Sequence, residues 1–159
     1  MNKTSNSIFN ITVLVAALGY FVDIYDLLLF QIVRVDSLKS MGLSVAQVKS
    51  EGEFIISVQM IGLLVGGIIW GVMGDKKGRL SVLFGSIVLY SIANIINGFV
   101  QTPNQYALTR FFAGIGLAGE LGAGITLVSE LVSKEKRGVS TSLVAGIGLT
   151  GAVVAYFIS

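Results

Sequence analysis

Four ionisable side chains stand inside otherwise apolar stretches: Asp23, Asp26, Arg110 and Glu120. On insertion scales a charge at the centre of a bilayer costs about 2.5–3.5 kcal/mol. Such groups have to be paired, hydrated or neutralised, and by default they mark an ion or substrate path. Asp23 and Asp26 are three residues apart, so on a helix they share a face. Two carboxylates that close in a poor dielectric do not both stay ionised, so one of them is expected to carry a proton at neutral pH. Arg110 supplies the opposite chemistry: a permanent charge on a planar fork of donors. That fork suits an acidic partner or the carboxylate of a substrate, held by two parallel hydrogen bonds. The plainer alternative is a structural salt bridge that only ties helices together.

Other chemistries are excluded or weak. There is no His and no Cys in the 159 residues. Disulfides, thiol catalysis and nearly all structural zinc sites are therefore absent. An enzyme is not expected, although Ser–Lys chemistry stays formally open. No cofactor and no metal are expected. Gly114, Gly116 and Gly119 spell G-x-G-x-x-G, but inside an apolar stretch with no preceding strand, so a dinucleotide site is rejected.

The elements that must position these residues are membrane helices. The chain is 53% hydrophobic and only 13% charged, against about 25% charged in soluble domains. A net charge of +2 is too small to suggest a nucleic-acid partner. A spanning helix needs about 20 mostly apolar residues. The stretches at roughly 9–33, 54–73, 80–100, 105–129 and 139–158 qualify, which predicts an all-α, polytopic membrane bundle of about five helices. The first is too long for a signal peptide and holds two aspartates, so it is read as a retained span. Ser44–Glu53 is expected to form a separate short surface helix, with Ser44 as its N-cap. Gly62 with Gly66, and Gly67 with Gly71, form G-x-x-x-G pairs, read here as tight packing rather than a dimerisation code.

Lys3, Lys76, Lys77, Arg79, Lys134, Lys136 and Arg137 fall on one side of these spans, which sets the N-terminus in the cytoplasm. Counted from the centre of each span, Asp23 and Asp26 lie about 3 Å and about 7 Å outward of the midplane, Arg110 about 10 Å outward and Glu120 about 5 Å inward. Given the reach of Arg, an ion pair between Asp26 and Arg110 is the sharpest tertiary contact expected.

The stretch Gly71-Val72-Met73-Gly74-Asp75-Lys76-Lys77-Gly78-Arg79 combines a glycine-rich turn, one acid and three bases. It resembles the signature loop between the second and third helices of the major facilitator superfamily, with Leu80 where a second base is common. Asp23-Ile24-Tyr25-Asp26 resembles the first-helix E-W-Y-D element of that family's metabolite–proton symporter branch, with Asp for Glu and Ile for Trp. Arg110-Phe111-Phe112-Ala113-Gly114 with Gly119-Glu120-Leu121-Gly122 resembles the branch's fourth helix, and Glu130 with Arg137-Gly138 the element that follows it.

The resemblance implies twelve helices in two halves that rock around a substrate near the midplane. It implies that Asp23 or Asp26 is a proton-coupling acid, that Arg110 is its partner, and that Tyr25 and Glu120 belong to the same cavity. It also implies a cytoplasmic gating network of Gly71, Gly74, Asp75, Lys76, Gly78, Arg79, Glu130 and Arg137. The expected activity is proton-coupled symport of a small polar metabolite, such as an organic acid or zwitterion, across a bacterial inner (plasma) membrane. The partners would be the substrate, protons, lipid, and a missing C-terminal half or complementary subunit, since five spans make less than one such transporter. A non-transporting assembly or regulatory subunit, or an inactive truncated fragment, is the alternative.

Overall fold

The computed structural model describes residues 11–131 and 137–158. They form five helices and no strand: α1 (Ile11–Ser40), α2 (Val45–Lys77), α3 (Arg79–Asn97), α4 (Pro103–Leu131) and α5 (Arg137–Ile158). The all-α expectation therefore stands. By length and apolar composition α2 and α3 are each able to cross a membrane.

One expectation is corrected. Ser44–Glu53 is not a separate surface helix; it is the first turns of α2, which runs unbroken for 33 residues. At 1.5 Å per residue that is about 50 Å, well beyond a hydrocarbon core of about 30 Å. No proline interrupts the chain from Val45 to Lys77, and the single Gly52 near the junction does not break it, so the polar first turns propagate straight into the apolar ones. Ser44 does mark the start: its backbone N–H and its hydroxyl both donate to Gln47 Oε1, at 2.9 and 2.8 Å. α4 begins on Pro103, where a missing N–H costs nothing. The Gln105 N–H donates to Thr102 Oγ1 at 3.3 Å, which caps that end.

Two compact units make up the chain: Phe30–Glu120, and Met1–Leu29 with Leu121–Ser159. In Phe30–Glu120, the C-terminal part of α1 packs on α2 and α4 through Phe30, Leu38, Val48, Ile55, Tyr106 and Ala107. Deeper in this unit, α2 and α4 meet backbone to backbone. A Cβ built on Gly62 would strike the Phe111 carbonyl, and one on Gly66 would lie 2.6 Å from the Ile115 carbonyl. From the other side, a Cβ on Gly114 would strike the Gln59 carbonyl, and one on Gly119 would come 2.7 Å from Trp70 Cδ1. Gly116 faces α3 instead, against Tyr90 at 2.7 Å. The Trp70 indole N–H closes the seam by donating to the Ile115 carbonyl at 2.7 Å.

In the other unit, α5 lies along α1. Gly148 receives the Tyr20 ring, and Gly151 sits against the backbone of Phe21 and Tyr25.

Candidate functional site

Arg110 is the best-defined group of the expected cavity. It sits near the start of α4 and is 5% exposed. Its Cζ lies 3.9 Å from the centroid of the Phe30 ring and 6.0 Å from that of Tyr106. The two rings are 5.6 Å apart and nearly perpendicular. Tyr106 is one turn back on the same helix, and Phe30 comes from α1. A guanidinium over a desolvated ring gains about 2 kcal/mol or more. That offsets part of the cost of burying a charge beside Phe30 and Tyr106, both members of an apolar core cluster.

The acids sit in the unit of Met1–Leu29 and Leu121–Ser159, on α1. Asp23 is 1% exposed, while Tyr25 and Asp26 are half-buried. Phe21 and Tyr25 form the face of α1 that α5 covers through Gly151. By helical spacing Asp23 falls opposite Phe21 and Tyr25, with Asp26 beside it. Glu120 is half-buried on α4.

The α2–α3 turn brings Asp75 and Arg79 together. Arg79 Nη2 lies 3.3 Å from Asp75 Oδ1, with both side chains substantially exposed. Gly78 joins the two helices with φ +86° and ψ 151°, a conformation open in practice to glycine alone. Gly74 leaves room for the Arg79 side chain, since a Cβ there would lie 3.0 Å from Nη1. Gly71 faces open space and Lys76 is exposed. The side chains of Glu130 and Arg137, the rest of the expected network, lie outside the described residues, as do Lys3, Lys134 and Lys136.

Three groups of note escape a search confined to charges. Gln59 is 1% exposed on α2, and its Nε2 is buried with no hydrogen-bond partner among the described residues. An amide in a stretch without charges was its signal. Trp70, the sole tryptophan, closes the α2–α4 seam. Phe30 and Tyr106 read as ordinary core aromatics until Arg110 is placed beside them.

Residues 6–159 match the family described as Major Facilitator Superfamily. Among curated relatives, a niacin transporter of Acinetobacter baylyi is 31% identical over 91% of this chain and 33% of its own length. A benzoate transport protein of the same organism is 31% identical over 65% of this chain and 23% of its own. Inorganic phosphate transporter 1-2 of rice is 32% identical over 92% of this chain and 31% of its own. The chain thus spans about a third of the length of the curated relatives it matches. No solved structure matches it significantly. These relatives carry transporter names rather than enzyme names, and the family places the chain in a membrane as an integral protein.

Proposed function

The chain belongs to the major facilitator superfamily, and on that premise we propose that it is the N-terminal part of a proton-coupled secondary transporter for a small polar metabolite, most simply an anion. The observation that carries this reading is Arg110: a guanidinium only 5% exposed, with an aromatic ring centroid 3.9 Å from its Cζ. A guanidinium presents a planar fork of donors that suits oxygen ligands. Niacin, benzoate and phosphate, named for the relatives, are all anions at neutral pH, and all present oxygens to such a fork.

The mechanism follows from the charges. Asp23 or Asp26 is the proton-coupling acid of this proposal, and Arg110 its cationic counterpart. A proton arriving on the acid removes its negative charge, and the arginine edge then takes the substrate oxygens. Release on the other side frees the guanidinium to draw the proton off. Asp75 and Arg79, with Glu130 and Arg137, close the cytoplasmic side in one of the two states. An exposed ion pair contributes only about 0–1 kcal/mol, so each crossing can break it without a large barrier. The N-terminus faces the cytoplasm of a bacterial inner membrane, and a complementary half completes the cavity.

The test uses the full-length transporter in proteoliposomes with an acid outside. Asp26→Asn and Asp23→Asn are examined for gradient-driven benzoate accumulation and for benzoate exchange without a gradient. Loss of accumulation with exchange retained, in at least one of the two, is the expected result. Full accumulation in both would overturn proton coupling through α1. Accumulation by neither mutant nor wild type would point to a non-transporting role.

A further inference from the structure

We infer that Gln59 is a specificity-determining residue of the transport site, its buried amide donating a hydrogen bond to a substrate oxygen, charged or neutral. The inference rests on the transport reading above and deepens it.

Among the described residues of α2, Gln59 is the one buried position with a polar side chain. It stands where the packing changes character. One turn before it, Ile55 belongs to the core that holds Phe30 and Tyr106. Just after it, Gly62 and Gly66 bring the backbone of α2 against that of α4. Gly62 meets Phe111 and Gly66 meets Ile115, so the two helices run in the same direction and in step. Carried back along α2, that register sets Gln59 level with Leu108, within one turn of Arg110. A Cβ on Gly114, one turn beyond Arg110, would strike the Gln59 carbonyl, which fixes the same placement from α4.

Gln59 is 1% exposed, and its Nε2 is buried with no hydrogen-bond partner among the described residues. A donor taken out of water and given nothing in return is costly and uncommon. An apolar side chain of the same length would avoid that cost, so the amide needs a use. An incoming oxygen supplies one, and the cost is recovered as binding energy when it arrives. The charge of Arg110 makes a negative oxygen the preferred acceptor through its field, whatever groups that guanidinium itself bonds. The two residues then divide the work: Arg110 favours charge, and Gln59 requires an acceptor atom. A carboxylate and a carboxamide both offer one, the carboxylate forming the stronger bond. A retained water is the other oxygen that could meet the donor, and in that case the transport constants would not depend on the amide.

The experiment measures full-length transporter in proteoliposomes, with benzoate as substrate and benzamide as competitor. Gln59→Met keeps an unbranched side chain of the same length and removes the donor. It is expected to raise KM for benzoate about tenfold and the inhibition constant of benzamide about threefold, with kcat within about twofold. In detergent without ligand, the melting temperature of Gln59→Met should equal or exceed that of the wild type, and the further rise produced by benzoate should shrink. Unchanged constants overturn the inference and assign the donor to a water. A weaker benzoate with an unmoved benzamide overturns it too, since charge alone would then be read. So does a melting temperature without ligand that falls below wild type, which marks the amide as a structural group. If Gln59→Met does not fold, Gln59→Leu reads the same quantities with the same expectations. A wild type that neither transports nor binds benzoate, niacin or phosphate overturns the transport reading itself, and the role of Gln59 falls with it.

Discussion

The α2–α4 seam and the α2–α3 turn lie on the same helix and are built on opposite plans. At the seam, Gly62, Gly66, Gly114 and Gly119 remove side chains so that backbone meets backbone or the Trp70 ring. At the turn, Asp75 and Arg79 reach toward one another through water-exposed side chains. The first has no slack, and a single methyl group collides with main chain. The second forms and dissolves at small cost. On the proposed transport reading the two would serve different ends: the seam would hold two helices as one piece, and the turn would open and close.

The predictions test that contrast, and each is read as thermal stability of the full-length protein in detergent unless stated. Gly66→Leu should be the most damaging, since its side chain would have to displace the Ile115 backbone; overpacking and a shifted helix together should cost more than about 3 kcal/mol. Survival of this variant at wild-type stability would mean that α2 and α4 do not meet as described. Gly78→Ala comes next. Its backbone conformation is one that side chains rarely adopt, which predicts a loss of about 1–3 kcal/mol. Trp70→Phe keeps the ring and deletes the bond to the Ile115 carbonyl, an expected loss of about 1 kcal/mol. Asp75→Asn removes an exposed pair, for which the expected change is about 0–1 kcal/mol. Its mark should appear instead in the transport rate, which gating by that pair would alter. Gly71→Ala should be smallest, within about 0.5 kcal/mol, because nothing lies within 4 Å of the added methyl.

The two G-x-x-x-G pairs show how much the sequence could say. Their spacing is identical, yet Gly62 and Gly66 lie in the seam while Gly67 and Gly71 face open space. Spacing reports that two small residues share a face; it does not report which face a neighbouring helix occupies. The same limit explains G-x-G-x-x-G on α4. Its rejection as a nucleotide site was legible from the apolar surroundings. Its actual use, with Gly114 against α2, Gly116 against Tyr90 of α3 and Gly119 against both Ser86 of α3 and Trp70 of α2, needed the tertiary arrangement.

The helices were legible because hydrophobic length is a local property. Their ends were less so: α2 begins at Val45 rather than near residue 54, since a polar helix turn carries no hydropathy signal. Among the site residues, the buried charges were visible from their cost alone. The groups that hold them were not. Phe30 and Arg110 are eighty positions apart, and no local pattern pairs them. Gln59 was visible in principle, as the one amide in an uncharged stretch, to a search that priced all polar groups rather than ionised ones.

A joint one residue long has a mechanical meaning. Lys77 ends α2, Arg79 starts α3, and only Gly78 lies between. Such a link has no length to pay out, so it transmits displacement as a knuckle does rather than absorbing it as a tether would. When the foot of one rod swings, the foot of the next must swing with it. Reporter probes attached near the two feet should therefore trace a single trajectory with no lag between them.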